Sequence, residues 1–167
     1  MNSCILKSPV GLLELREEGG SLTGIDLAAE GAEIPQEPFA RHSDLLYEAY
    51  RQLDEYFKGT RKAFDLPLNA KGTEFQRTVW RELEKIPYGE TRSYEDIAGG
   101  LGKPKAVRAV GQANGRNPLI IVVPCHRVIR KSGDISGFRL GNQVKRYLLE
   151  LERRNSQGPD LSNLPLR

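Results

Sequence analysis

Residues 119–130 read LIIVVPCHRVIR, a stretch that places a thiol and an imidazole inside an apolar run. Five apolar residues lead to Pro124. Cys125, His126 and Arg127 follow, and the chain then becomes apolar again. A short continuous apolar run is typical of a fully buried strand. The stretch therefore predicts a nucleophile and an adjacent base at the end of a buried strand.

Two interpretations of Cys125 follow from the residue types. A free cysteine is often a small buried hydrophobe that only fills space. A reactive cysteine has to ionise, and cationic neighbours such as Arg127 lower the pKa of a thiol. Pro124 restricts the backbone just before the thiol, and one of the two histidines of the chain, His126, is adjacent. These neighbours favour the reactive interpretation.

The imidazole of His126 needs an orienting acceptor if it is to act as a base. Adjacent side chains on an extended chain point to opposite sides, so His126 would reach the sulphur through a turn or a bridging water. Glu150 and Glu152, near the end of the sequence, are both candidates for the acceptor.

The overall composition is that of a soluble globular protein. The 167 residues suit one large domain or two small ones, with 38% hydrophobic and 28% charged residues. The formal net charge of +3 permits a nucleic-acid partner without arguing for one. The sequence has neither a secretory-signal pattern nor an apolar run of the ~20 residues that a membrane span needs. We expect a cytoplasmic protein, or a nuclear one in a eukaryote, that does not bind membranes.

Cysteine and histidine are too few, and wrongly spaced, for a metal site. Cys4, Cys125, His42 and His126 occur without CxxC or HxxxH spacing. We therefore expect no metal, and free thiols in a reducing compartment. Cys4 is predicted to lie in the core and His42 to face solvent.

The N-terminal part, residues 1–70, is predicted to be a small antiparallel sheet with one helix. Two strands surround the glycine turn at residues 18–20, and residues 8–11 are a further candidate turn. Apolar residues at helical spacing follow, between a capping serine, Ser43, and a terminating glycine, Gly59.

The connection to the second part is predicted to be a strand followed by a linker, over residues 62–72. Residues 30–41 are rich in Glu, Pro and Ala and predict a loop. The second domain is expected to span residues 71–155. Residues 156–167 are predicted to be a polar, disordered tail.

The second domain is predicted to be mostly helical. A helix begins after Thr73, a short helix begins after Ser93, and a third starts at Pro104. The last two are joined by a glycine-containing turn, which resembles a helix-turn-helix of the winged-helix kind. A final helix is predicted over residues 141–154.

The segment VPCHRVI resembles the active-site signature of the O6-alkylguanine-DNA alkyltransferases. The segments GETRSYEDIA, GKPKAVRAVGQANGRNP, PCHRVIRKSGDISGF and KRYLLELE occur in the order and spacing of that family. The resemblance covers residues 73–152. The first 65 residues match loosely, through SPVGLLEL and YFKG.

The resemblance implies an α+β protein that repairs DNA by direct reversal. Such proteins bind duplex DNA through the minor groove and flip out the damaged base. They move the alkyl group of O6-alkylguanine to their own cysteine, irreversibly and once per molecule. By the same resemblance we expect transfer from O4-methylthymine, no cofactor, and a monomer in solution that can cluster on DNA.

The resemblance also assigns catalytic roles. Cys125 is the nucleophile and alkyl acceptor, and His126 is its general base through a water. Glu152 orients and polarises His126. Tyr94 donates toward the departing guanine, and Asn117 braces the turn around the cysteine.

The basic segment at residues 103–116 is implied to be the DNA-binding helix. Small residues separate its charges, so the helix can approach a groove closely, and Arg108 would fill the gap that the flipped base leaves. On charge alone, a solvated helix face is an equal alternative. The further nucleic-acid-binding residues implied are Ser93, Lys105, Ala106, Asn114 and Arg116.

The substrate pocket is implied to be lined by Pro124, Val128, Phe138 and Arg139. Phe138 stands where the family usually has a tyrosine. Arg139 and Leu140 stand where small residues are usual, which predicts a narrower pocket and leaves the range of alkyl groups open.

Three other functions are consistent with parts of the pattern. Alkyltransferase-like proteins bind alkylated bases but lack the cysteine, so Cys125 argues against them. A transcriptional regulator would use the helix-turn-helix and has no need of PCHRV. A cysteine hydrolase would need an oxyanion hole and repeated turnover.

Overall fold

The N-terminal part of the molecule is a meander of three antiparallel strands rather than two. The structure is a computed structural model that describes residues 1–34 and 43–156. The candidate turn at residues 8–11 separates the first two strands, and the predicted glycine turn, where Gly19 and Gly20 have positive φ, separates the next two. The strands are β1 (Asn2–Ser8), β2 (Gly11–Glu18) and β3 (Ser21–Leu27), in the order β1-β2-β3.

One face of this sheet is covered by helix α1 (Asp44–Phe57). Alternate residues of the strands, such as Cys4 and Leu15, are buried against it, as the period of a half-buried sheet requires. Ser43 caps the helix by accepting a hydrogen bond from the amide of Leu46. The part of the predicted loop at 35–42, with His42, lies outside the described residues.

The predicted strand at residues 62–72 is wrong. The segment forms a single bridge, between Leu68 and Leu22 of β3. The amide of Leu22 donates to the carbonyl of Pro67, and the carbonyl of Leu22 accepts from the amide of Asn69. Pro67 has no amide hydrogen, so a continuous ladder cannot form through it.

Four helices form the second part. Thr73 closes a reciprocal capping box on the first of them, and Ser93 does the same on the second. The third begins at Val107 rather than at Pro104, because residues 104–106 form a turn before it. The helices are α2 (Glu74–Leu83), α3 (Tyr94–Gly100), α4 (Val107–Gly115) and α5 (Asn142–Ser156).

The apolar segment before Cys125 is buried, but it is not a strand. Ile121 has φ of 73°, which is a rare conformation for a β-branched residue. The chain therefore turns back on itself, and the amide of Val123 donates to the carbonyl of Leu119. A 3-10 turn, Cys125–Arg127, follows directly.

The two parts of the chain meet along the free edge of β3. The amide of Ile25 donates to the carbonyl of Pro118, and the amide of Ile120 donates to that of Ile25. After the 3-10 turn, β5 (Val128–Ile129) pairs in parallel with β4 (Arg92–Ser93). The segment carrying Cys125 is thus held between the N-terminal sheet and the start of α3. The domain boundary near residue 70 remains a prediction.

Helix α5 reaches Ser156, and residues 157–167, most of the predicted tail, lie outside the described residues. None of the helices within residues 1–34 and 43–156 is long and apolar enough to span a bilayer.

Candidate active site

Cys125 lies at the start of the 3-10 turn, with 3% of its surface exposed. Asn117 holds the turn that precedes it. The side-chain amide of Asn117 donates to the carbonyl of Val123 at 2.7 Å, and its oxygen accepts from the amide of Leu119 at 3.0 Å. One buried side chain therefore ties both ends of the turn that precedes the thiol, and the catalytic role that the resemblance implies for Asn117 remains a prediction.

Burial raises the pKa of the Cys125 thiol, and this effect exceeds the opposing ones. A hydrogen bond from Asn117 and the positive charges of Arg139 and Lys145 lower it only in part. The guanidinium of Arg127, expected to act on the thiol, bonds to Glu152 instead; its effect on the pKa of the thiol remains a prediction. The thiol is therefore protonated at neutral pH, and a base has to remove its proton.

His126 and Glu152 form a buried pair. The Nε2 atom of His126 lies 2.6 Å from Oε2 of Glu152, and both side chains are 1% exposed. Glu150, the other candidate acceptor, is exposed on the same helix. Residues two apart on a helix face different directions, so only one of the two could reach the histidine.

Arg127 is the counter-ion of this carboxylate. Its Nε donates to Oε1 of Glu152 at 2.7 Å, and its Nη2 donates to Oε2 at 3.1 Å. Its Nη1 donates to the carbonyl of Ile86 at 2.8 Å. A forked guanidinium–carboxylate pair fixes the orientation of both groups.

Two further donors complete the shell of Glu152. The hydroxyl of Tyr56, on α1, donates to Oε2 at 2.6 Å, and the amide of Gly89 donates to Oε1 at 3.3 Å. Tyr56 was not predicted as a site residue. It belongs to the apolar stripe of α1, and its spacing gives no sign of a polar partner 96 residues away.

The protonation states follow from these contacts. Burial by itself would raise the pKa of Glu152, but the hydrogen bonds from His126 and Arg127 hold it well below its usual range. Burial lowers the pKa of His126, and Glu152 opposes this shift only in part. We conclude that Glu152 is ionised beside Arg127 and that His126 is neutral.

The neutral ring has one tautomer that fits. Because Nε2 of His126 faces a carboxylate, it carries the hydrogen. Its Nδ1 atom then bears the lone pair. Among the described residues, Nδ1 is buried and has no hydrogen-bond partner. A desolvated base therefore directly follows the residue of the protonated thiol in the same 3-10 turn.

Tyr94 and Arg108 line one surface depression. Tyr94 begins α3, directly after β4, and Arg108 is exposed on α4. A Cβ atom built on Gly111 would lie 3.8 Å from the ring of Tyr94, so α4 packs closely over it. Arg130 and Lys131 line the same depression and were not predicted.

The predicted DNA-binding residues divide into two groups. Lys105 and Arg116 are exposed like Arg108, and Ala106 and Ser93 are partly buried at the starts of α4 and α3. Asn114 is only 4% exposed, and its side-chain amide donates to the carbonyl of Cys125 at 3.4 Å. Asn114 therefore contacts the backbone of Cys125 and does not lie on the open face of α4.

The predicted pocket residues also fall into two groups, those near Cys125 and those that lie elsewhere. Pro124 and Val128 are buried beside Cys125, and Phe138 is half-buried. Arg139 is exposed and reaches the N-terminal sheet, where it pairs with Asp26 at 3.3 Å, and its Nη2 also donates to the carbonyl of Asn117 at 3.4 Å. Leu140, expected to narrow the pocket, packs against the hydrophobic core.

Lys145 is a site residue that the sequence analysis missed. It is 1% exposed, its Nζ donates to the carbonyl of Val128, and Nζ lies 5.1 Å from the centre of the Phe138 ring. A signal for its burial exists, since Lys145 shares the helical stripe of Leu148 and Glu152 on α5.

The described residues hold no group of three or more His, Cys, Asp and Glu side chains that could bind a metal ion. The absence of a metal and of a cofactor remains a prediction.

Two family models match the chain. Residues 74–154 match the DNA binding domain of 6-O-methylguanine DNA methyltransferase, and residues 3–70 match its ribonuclease-like domain.

Relatives resemble the chain over most of its length. It is 49% identical over 152 residues to the constitutive methylated-DNA–protein-cysteine methyltransferase of Bacillus subtilis, covering 88% of this chain and 92% of the relative. It is 46% identical over 154 residues to the methylated-DNA–protein-cysteine methyltransferase of Methanosarcina acetivorans, covering 91% and 98%.

A solved structure is similar to the whole fold. The crystal structure of Mycobacterium tuberculosis OGT in complex with DNA superposes with a TM-score of 0.82 at 42% identity, covering 93% of this chain and 94% of that one. The α+β architecture predicted from the sequence is confirmed.

Proposed function

The chain belongs to the 6-O-methylguanine DNA methyltransferase family, and on this premise we propose that it repairs DNA by moving an alkyl group from O6 of guanine to the sulphur of Cys125. The observation that carries the proposal is the buried set of Cys125, His126 and Glu152. Its protonated thiol lies next to a neutral histidine whose Nδ1 lone pair is available.

The first step of the reaction is a proton transfer within the site. The thiol of Cys125 gives its proton, through a water, to Nδ1 of His126. The resulting imidazolium is stabilised by Glu152, whose carboxylate is already held by Arg127. The charges of Lys145 and Arg139 favour the thiolate at the moment it forms.

The thiolate then displaces the base. Its sulphur attacks the alkyl carbon, the carbon–O6 bond breaks, and the electron pair remains on the guanine. The hydroxyl of Tyr94 donates a proton toward the departing base, which leaves as ordinary guanine. The thioether on Cys125 is stable, so each molecule acts once and needs no cofactor.

Access to the base requires flipping it out of the duplex. The exposed charges Arg108, Lys105 and Arg116 lie on or beside α4, which carries few bulky side chains. We propose that α4 enters the minor groove and that Arg108 fills the gap left in the stack. The other two contact phosphates, so binding weakens with salt.

The proposal extends to O4-methylthymine, which also presents an alkyl group on an exocyclic oxygen. We further propose that the protein is a monomer in solution and that copies can cluster along DNA. Reaction of duplexes containing O4-methylthymine and sedimentation with and without DNA test these points.

The decisive experiment weighs the intact protein after incubation with duplex DNA containing O6-methylguanine. We expect a gain of one methyl group per molecule, located on Cys125, without further turnover. Cys125→Ser should abolish the gain and keep DNA binding, because the binding helix lies elsewhere. Cys4→Ala, which removes the other buried thiol, should leave the transfer intact.

A Cys125→Ser protein that still gains a methyl group would contradict the proposal. Repeated turnover without a mass gain would instead identify a hydrolase. Binding of damaged DNA without any transfer by the unaltered protein would identify a recognition module.

A further inference from the structure

The Glu152 carboxylate has a partner on the N-terminal half of the chain. Its Oε2 atom is 2.6 Å from the hydroxyl of Tyr56, 2.6 Å from Nε2 of His126 and 3.1 Å from Nη2 of Arg127. The last two belong to the turn that carries the thiol, whereas Tyr56 belongs to α1.

We propose that Tyr56 is a positioning residue for the alkyl transfer: its hydroxyl orients the Glu152 carboxylate and moderates how strongly that carboxylate holds His126. The inference rests on the proposed function and adds a residue of the N-terminal half to the site that performs it.

Packing explains the ring of Tyr56 but not its hydroxyl. The ring lies among aromatic neighbours, with centroids 5.4 Å from Phe57, 5.5 Å from Phe64 and 6.2 Å from Tyr88. A phenylalanine would fill the same space. Tyr56 is 0% exposed, and a buried hydroxyl is costly unless it is hydrogen-bonded. Its short bond to an ionised group is of the strong, charge-assisted kind.

The hydroxyl and the histidine share one oxygen. When Tyr56 donates to Oε2, it draws charge from that atom and makes it a weaker acceptor for His126. A weaker acceptor stabilises the imidazolium less, which keeps the histidine neutral and able to take the thiol proton. At the same time the bond fixes the plane of the carboxylate and hence of the ring.

The charged and titratable groups around His126 come from three elements. Glu152 and Lys145 face it from α5, and Tyr56 lies behind Glu152 on α1. Cys125 and Arg127 flank it in its own turn. Of these, a Tyr56→Phe change removes neither a charge nor a ring, so it isolates the hydroxyl.

The experiment measures the single-turnover rate of transfer from O6-methylguanine duplex DNA as a function of pH, for the unaltered protein and for Tyr56→Phe. Without the hydroxyl, Glu152 binds His126 more strongly and the pKa of His126 rises. We expect the midpoint of the acid limb to move to higher pH. The plateau rate should fall, because the carboxylate and the imidazole ring lose the bond that fixes their orientation. We expect a fall of roughly tenfold, the effect of one hydrogen bond to a charged group.

Tyr88→Phe is the matched control, because it removes a hydroxyl from the same aromatic cluster. Among the hydrogen bonds of the described residues, none joins the hydroxyl of Tyr88 to Glu152. Its rate and pH profile should follow those of the unaltered protein.

A second comparison uses Glu152→Gln as the background. If Tyr56 acts through the carboxylate, adding Tyr56→Phe to Glu152→Gln should change the residual rate little. The inference is overturned if Tyr56→Phe lowers only the melting temperature and leaves rate and profile unchanged. It is also overturned if its effect is the same in both backgrounds. Failure of the unaltered protein to transfer would instead refute the proposed function.

Discussion

At the scale of single residues, Lys145 shows how a charge is held inside the site. Its ammonium group has one carbonyl partner, Val128, and the face of Phe138. These contacts replace only part of its hydration, so burial lowers the pKa of Lys145 from 10.5 to about 8. The positive charge therefore costs folding stability, and it favours the thiolate of Cys125 in return.

We predict that Lys145→Met changes the pH dependence of the unfolding free energy. The folded pKa lies below the unfolded one, so the destabilising effect of the charge is complete below pH 8. It disappears as the pH rises toward 10.5. Relative to the variant, the unaltered protein should therefore gain about 1–3 kcal/mol across this window.

Denaturant unfolding at a series of pH values measures the difference. Arg146→Met, which removes an exposed charge from the same helix, is the control and should show no comparable change. A constant difference between the Lys145→Met protein and the unaltered protein would contradict the prediction.

At the scale of secondary structure, α4 connects an exposed basic face, which we propose binds DNA, to the turn that carries Cys125. Its open face carries Arg108, while its inner face carries Val110 and Asn114, the latter directed at the carbonyl of Cys125. The indole of Trp80, on α2, donates to the carbonyl of Ala113 near the end of α4. The helix is thus fixed to the domain behind it and can present its other side to a groove.

We predict that Arg108→Ala slows repair of O6-methylguanine in duplex DNA at least about tenfold more than it slows transfer from free O6-benzylguanine. The free base needs no flipping and leaves no gap to fill, and flipping costs a few kcal/mol. Rates on the two substrates, measured in parallel, give the ratio.

Lys105→Ala and Arg116→Ala are the controls. They remove exposed charges near the same helix, and they should mainly reduce the salt dependence of DNA binding. Equal losses on both substrates for Arg108→Ala would mean that the residue supports the fold or the thiol rather than the base stack.

At the scale of the whole molecule, the active site is closed by contacts from both halves of the chain. The edge of β3 bonds to the segment before Cys125, Arg139 pairs with Asp26 on β3, and Tyr56 reaches Glu152. The thiol itself is 3% exposed. A group added to its sulphur therefore enters a packed interior that links the halves.

We predict that alkylation of Cys125 destabilises the protein. Overpacking a filled interior typically costs ~1–3 kcal/mol. For a chain of this size, this corresponds to a fall in melting temperature of about 2–12 °C. Methylation also removes the ionisable thiol. A benzyl adduct should have a larger effect than a methyl adduct.

Melting curves and protease digestion of one preparation, before and after stoichiometric reaction, provide the measurement. A Cys125→Ser protein exposed to the same DNA controls for effects of the substrate. A melting temperature that stays the same or rises for both adducts would show that the pocket accommodates them freely.

The sequence by itself determined the features that depend on near neighbours. The caps at Ser43, Thr73 and Ser93 are confirmed, because each is a bond to an amide three residues away. The segment PCHRV likewise identified the thiol and its family. Local pattern does not determine the backbone conformation of an apolar run that can be buried in more than one way. The strand expected before Cys125 is for this reason a turn through Ile121.

Only the tertiary structure decided which polar groups serve the thiol. It paired Arg127 with the carboxylate of Glu152 and added Tyr56 and Lys145, whereas Glu152 itself was already implied by the family resemblance. These choices depend on which groups are desolvated together. Desolvation is set by contacts between residues 17 to 96 positions apart, a range over which helical and strand periodicity carries no information.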